Sequence, residues 1–440
     1  MNQVELNYSK NQNMFNYGTN IFQCNKENFI AVIFSLVCGC KMQNNKLVLH
    51  RAIQYPRSTF IKSFSFNSEP YRYPGTGTDM HWWTWGIDGN IYVIDDDGRN
   101  FGGISWYAHL LKATKTPPNF KVEEINDFQF YDFRQHVPNN YLRRYVCGIV
   151  AVDSSLFVCI YDYDWNISSK YIPSDTLTKR IRELDAYYGV DSVLEFNMRF
   201  AEALSKHGGV AGIIVSHDFG KTWSNLPDEN TPQFFSPKFG APAFLTFGPG
   251  NSEVPDELKP YIYAISNDGN WASGDNIYLG RVHRDSIIHR DAWSFVSNVD
   301  GNRAIWTKDL TNAQPIFTDK GHTGHPSITY NKSLKRYILA VFSDFYPHNE
   351  NATPEEYITW NWRSELQLYE SEKPWGPWSI FYNNDKWGGD SHTCYLLQMP
   401  SAWISDGGLN GTALFSGDYI NRTGEYYGFI TQSYEIELFE

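Results

Sequence analysis

The residues best equipped for chemistry crowd into one short run. From Thr78 to Gly103 the chain reads TDMHWWTWGIDGNIYVIDDDGRNFGG, with Asp79 near its start, Asp88-Gly89 in its middle and Asp95-Asp96-Asp97 near its end. An Asp-Gly pair between two alternating apolar runs predicts a β-hairpin turn. That turn folds two strands together and brings Asp79 and Asp97 to adjacent strand ends on one edge of the sheet. Two converging carboxyls could cleave a glycosidic bond: a protonated one gives its proton to the leaving oxygen, and an ionised one acts as nucleophile or base. The same oxygens, with Asp95 and Asp96, could instead hold calcium or sit in a solvated turn. From spacing alone the three readings stand level.

Further candidates surround this pair. Flat indole rings offer stacking platforms for the CH faces of sugars, which makes Trp82, Trp83, Trp360 and Trp362 candidate platforms. His81, Asn100, His325, Arg336 and His392 are candidate partners for sugar hydroxyls. His322 and His325 could also join His392 and Cys394 as a zinc site of nitrogen and sulfur ligands. A different enzyme is conceivable around His81, His109, Tyr107 and Arg99. There Arg would neutralise a uronate carboxylate while Tyr or His moves the proton of a β-elimination, the reaction of a polysaccharide lyase. The hydrolytic reading requires no cofactor, and a propeller that binds glycans without cleaving them would use the same tryptophans.

The elements that must position these residues are β-strands. Over 440 residues, 42% are hydrophobic and 17% aromatic, enough apolar surface for a large core. The net charge of -12 and the lack of a clustered basic run exclude a phosphate-binding groove. Alternating runs broken by turn residues recur at Trp82–Ile94, Gly148–Tyr163, Pro260–Val282, Pro326–Phe342, Glu365–Tyr382 and Thr412–Leu438, a succession of hairpins. One stretch, Ser174–His207, instead carries apolar residues near 3.6-residue spacing and ends at Gly208-Gly209, predicting a helical insertion.

Ser216-His217-Asp218-Phe219-Gly220-Lys221-Thr222-Trp223 matches the Asp-box pattern S-x-D-x-G-x-T-W. In such a turn the Asp side chain satisfies backbone N–H groups and Gly takes a positive φ. The motif resembles those of sialidase-like propellers. At about 40 to 50 residues per blade, the expectation is an all-β chain with one β-propeller domain over 41–440, five-bladed within a range of five to seven.

The run from Thr78 to Gly103 resembles the opening motif of the propeller family called domain of unknown function 4185. Later blocks extend the likeness: Phe244-Leu245-Thr246-Phe247-Gly248, Asn276–Val282, Ser327–Asn331, Pro374-Trp375-Gly376-Pro377-Trp378 and Phe415-Ser416-Gly417-Asp418. That family includes the endo-D-arabinanases of glycoside hydrolase family 183, and the resemblance implies that Asp79 and Asp97 are the acid/base and nucleophile or base. Met80-His81 and Asp95-Asp96 depart from the usual pattern, so the resemblance implies a substrate that can differ from arabinan.

The start of the chain reads as an address. Phe29–Val37 is a nine-residue apolar run behind Lys26, followed by Cys38-Gly39-Cys40 and a polar stretch. It is too short for an ordinary transmembrane helix and looks like a bacterial lipoprotein signal over 1–40, with Cys40 as the lipidated residue and Met14 as an alternative start. The expected product is a monomer held at the bacterial cell envelope by its lipid, acting on a poly- or oligosaccharide. The other cysteines, Cys147, Cys159 and Cys394, form no CxxC pair and are expected as core thiols.

Overall fold

Alternating apolar residues produce antiparallel strands, and in the computed structural model these stack as five sheets around an axis. The structure describes residues 41–43, 46–48, 54–100, 108–128, 131, 143–163, 208–269, 274–344, 364–388, 394–417 and 428–440. The segment expected as a signal, with Cys40, the predicted helix at 174–207, Tyr107, Trp360, Trp362 and His392 lie outside these. So do the side chains of Asp97, Arg99 and Asn100. Two units are present: residues 1–54, in which Lys41–Gln43 pairs with Lys46–Val48, and Tyr55–Glu440, which forms the propeller.

Blade 1 is Thr76–Trp85, Ile91–Asn100, His109–Thr114 and Lys121–Asn126, from the axis outward. Blade 2 is Arg143–Val152, Ser155–Tyr163 and Val210–Ser216, with a bridge from Val215 to Ser224 on its outer side. Blade 3 runs from Ala243–Phe244 through Tyr261–Asn267 and Asn276–His283 to Ser294–Asp300 and Arg303–Thr307. Blade 4 is Ser327–Asn331, Arg336–Asp344, Ser364–Ser371 and Ser379–Trp387. Blade 5 is Cys394–Gln398, Asn410–Gly417 and Ile430–Leu438, completed by the N-terminal strand Ile61–Phe66. Each innermost strand touches the next, and that of blade 5 touches that of blade 1. The ring therefore closes, and its count is five.

Sheet faces meet through large apolar side chains. Trp83, Ile91, Val93, Leu111, Phe120 and Val122 of blade 1 join Trp403, Leu414 and Phe429 of blade 5 in one buried cluster. Phe64, on the closing strand, stacks on Tyr434 at 5.3 Å between ring centroids and meets Tyr382 of blade 4 edge-on at 4.9 Å. The Ser216–Trp223 turn sits on the outer side of blade 2. Asp218 Oδ1 accepts from Ser216 Oγ at 2.8 Å and from Thr222 N at 2.9 Å, Oδ2 accepts from Thr222 Oγ1 at 2.7 Å, and Gly220 adopts φ +89°. The hydrogen bond from the Thr222 amide is the largest influence holding the Asp218 carboxyl down to about 2.

Candidate active site

The hairpin expected at Asp88-Gly89 forms. Gly86 N donates to Asn90 O at 2.8 Å, Gly89 takes φ +82°, and Asp88 Oδ2 accepts from Asn90 Nδ2 at 2.7 Å and from Tyr92 Oη at 2.9 Å. Its strands then run toward the other end of the channel, where the register breaks twice. Thr78 pairs with Gly98, Asp79 with Asp96 and Trp82 with Ile94. The first break leaves Asp97 as the extra residue of a bulge; the second gives the inner strand an extra residue beside Met80, which adopts φ +54°. The residue opposite Asp79 is therefore Asp96, not Asp97 as the unbroken hairpin implies. A bulge re-aims side chains at a strand end and is not readable from alternation. Asp79 and Asp96 are both buried.

Asp95 belongs to a separate buried network. Its Oδ1 lies 3.0 Å from His109 Nδ1, and its Oδ2 accepts from Thr78 Oγ1 at 2.5 Å. His81 Nε2 is 3.3 Å from Thr78 Oγ1, and its Nδ1 is 2.7 Å from Ser416 Oγ in blade 5. Proton accounting fixes the directions. The Thr78 hydroxyl spends its one proton on Asp95, so His81 Nε2–H donates to Thr78, and with the ring neutral the Ser416 hydroxyl donates to Nδ1. This requires a neutral His81, and burial does lower its pKa to about 4. His109 goes the other way. Burial opposes its charge, but the adjacent Asp95 carboxylate, with Glu124 and Asp127, raises it above the ordinary imidazole value.

These placements correct several expectations. His81 and His109 are fully enclosed, so neither ring can reach a sugar hydroxyl or move a substrate proton. Trp83 belongs to the cluster between blades 1 and 5. Trp82 is 2% exposed and packs its ring 5.7 Å from that of His325, which in turn lies 6.2 Å from Tyr161 of blade 2. Neither indole shows an open face; together Trp82, His325 and Tyr161 tie blades 1, 4 and 2 across the axis. Arg336 lies at the far end of blade 4, at the start of the strand that Asp344 closes. There its guanidinium pairs with Glu370 at 3.0 Å and Glu372 at 3.2 Å and covers the Phe60 ring at 4.0 Å, so it serves the blade rather than the carboxylate end.

For the metal alternatives, Asp95 already has a hydrogen-bonding partner on each oxygen. His322 Nδ1 lies 3.1 Å from both Glu365 Oε2 and Ser343 Oγ. Among the described residues no three His, Cys, Asp or Glu side chains gather as a metal site. Cys147 and Cys159 face each other across blade 2 as buried thiols, and Cys394 is a third buried thiol.

Several residues of this end were missed in the sequence. Thr78 and Ser416 complete the His81 network. Arg144, at the start of blade 2, donates to Asp162 Oδ1 at 2.8 Å, to Tyr131 Oη at 3.2 Å and to Pro227 O at 3.0 Å, entirely buried. Burial raises the Asp162 carboxyl even beside that guanidinium. An Arg and an Asp near facing strand ends, Arg144 opposite Asp162, were the available signal, legible only once the hairpin register is known.

No family model and no curated protein matches the chain. Solved structures similar to it include an α-L-arabinofuranosidase from Podospora anserina in complex with cellotriose, at 10% identity and TM-score 0.40, over 86% of this chain and 98% of that one. An arabinanase from Bacillus subtilis matches at 12% identity and TM-score 0.39, over 81% and 95%. A glycoside hydrolase family 43 enzyme from Xanthomonas citri complexed with xylose matches at 11% identity and TM-score 0.40, over 82% and 89%. Among the described residues no helix is long and apolar enough to cross a membrane.

Proposed function

We propose that this protein is a glycoside hydrolase acting on a polysaccharide at the carboxylate end of blade 1. The observation that carries the reading is the cross-strand pairing of Asp79 with Asp96 beside the bulged Asp97. Directly opposed residues on antiparallel strands hold their Cβ atoms about 4.5–5.5 Å apart. Neighbours of this kind bring two carboxyls into the range of about 5–9.5 Å that glycosidases use in either stereochemical outcome. Asp79 is assigned as one member of the pair, and the bulge supplies the other. The resemblance of Thr78–Gly103 to the opening motif of the arabinanase-containing propeller family supports Asp79 as one member and implies Asp97, the bulged residue, as the other. A lyase acting through His81 or His109 is disfavoured, because both rings are enclosed and already hydrogen-bonded.

The test uses soluble protein beginning at Lys41 on a panel of arabinans, pectins, ulvans and host glycans, read in parallel for reducing ends and for the absorbance of an unsaturated uronate. Reducing ends without that absorbance are expected. Unsaturated product would replace hydrolysis by elimination, and no product from any glycan would remove the enzymatic reading in favour of a glycan-binding propeller.

A further inference from the structure

The far end of the channel holds a cavity that the carboxylate chemistry does not use. Its volume is about 570 Å³, inside the range of small-molecule sites. Four blades contribute where their inner strands end: Trp85 of blade 1, Glu253 from the loop after the inner strand of blade 3, Tyr330 and Lys332 of blade 4, and Ser401 and Asp406 from the connection after the inner strand of blade 5. Trp85 is six residues along the inner strand from Asp79, roughly 20 Å at strand rise, so the two places are distinct.

The lining has a consistent chemistry. Trp85 and Tyr330 supply aromatic surface of the kind that stacks on the CH face of a sugar ring. Trp85 Nε1 and Ser401 Oγ are buried polar atoms with no hydrogen-bonding partner among the described residues, and such groups are costly unless satisfied. Lys332 pairs with Glu253 at 3.0 Å on the exposed side, and among the described residues Asp406 adds a second carboxylate to the lining. An anion, including a uronate or a phosphate, would meet two carboxylates, Glu253 and Asp406, against the single Lys332 of the lining. A neutral polyol meets aromatic surface and carboxylate acceptors, and its hydroxyls would satisfy the Trp85 indole N–H and the Ser401 hydroxyl once the lining opens onto them. We infer that this end of the channel is a binding site for a neutral sugar unit, separate from the carboxylate end and needing no catalysis there.

The experiment follows the indole N–H resonance of Trp85, identified by its loss in Trp85→Phe, while L-arabinose, D-xylose, D-galactose and cellobiose are titrated in turn into wild-type and Asp79→Asn protein. Saturable shifts with at least one of these sugars, the same in both proteins, are expected; using Asp79→Asn keeps this result independent of hydrolysis. Ser401→Ala should weaken the binding about 2- to 12-fold, the worth of one hydrogen bond. Ser405→Trp, on the exposed rim, should fill the cavity and abolish the shift, with folding checked by circular dichroism. An unmoved Trp85 signal, binding indifferent to both Ser401→Ala and Ser405→Trp, or a response to tetramethylammonium alone would overturn the assignment.

Discussion

His81 shows how a residue that looks catalytic in sequence can be architectural. It sits between Asp79 and two tryptophans, yet it bridges Ser416 of blade 5 to Thr78 and so to Asp95. Because its folded pKa lies near 4 against 6.5 unfolded, the neutral ring stabilises the fold fully above about pH 6.5, and that stability is lost as pH falls toward 4. The loss is on the order of 3 kcal/mol. His109 has the opposite sign: its raised pKa gives stability that is full below the ordinary imidazole value and is lost as pH rises through the folded value. Urea unfolding as a function of pH should therefore show an acid limb that flattens in His81→Gln and a neutral-to-basic limb that flattens in His109→Gln. An acid limb unchanged in His81→Gln would remove the ring from this role. At the same scale, the register makes a distinction between neighbours. If Asp96 is the partner of Asp79, Asp96→Asn loses about 10²–10⁴-fold in kcat while Asp97→Asn stays within a few-fold; the reverse pattern assigns the role to Asp97.

The hairpins were the most legible elements, because turn chemistry and alternation are both local. Asp88-Gly89 and Asp153-Ser154 fall between paired strands, and Asn331-Lys332 marks the end of one strand and the start of its turn. The double bulge in the first hairpin was not legible: it depends on how two strands re-pair beside Met80, and the composition of Asp95-Asp96-Asp97 is equally compatible with an unbroken ladder. In the Ser216–Trp223 turn the backbone N–H bond to Asp218 and the positive φ of Gly220 were legible, since these residues act within four positions of one another, whereas the bonds from the Ser216 and Thr222 hydroxyls were not. Its glycine has a further duty. A Cβ on Gly220 would lie 1.9 Å from Leu110 Cδ2, and the residue already sits at φ +89°. Gly220→Ala should cost about 2 kcal/mol or more, read as a lower thermal midpoint; an unchanged midpoint would show that the turn and Leu110 yield freely.

Across the whole molecule, length and hairpin spacing put the blade count at five within a range of five to seven, but the closure was not legible. The strand Ile61–Phe66 completes blade 5 from the opposite end of the chain, pairing with Ile430–Leu438, a contact over some 370 residues that no local pattern signals. Trp82 and Trp83 failed as platforms for a related reason. Alternation says which side of a strand a ring occupies, but not whether that side faces solvent or the next blade, and in Trp83 it faces Trp403, Leu414 and Phe429. The closing strand sets a prediction at this scale. Phe64 packs against Tyr434, Phe66 and two rings of blade 4, so Phe64→Ala should destabilise the ring by about 3–5 kcal/mol in chemical denaturation. A loss below about 1 kcal/mol would mean that the closing strand contributes little to holding the propeller shut.

Chemistry by Asp79 on a glycan is read from reducing-end release from the glycan panel, wild type beside Asp79→Asn, both shown to be folded. Release by the wild type and a loss of about 10²–10⁴-fold in the variant are expected; equal release by the two proteins would remove Asp79 from the reaction.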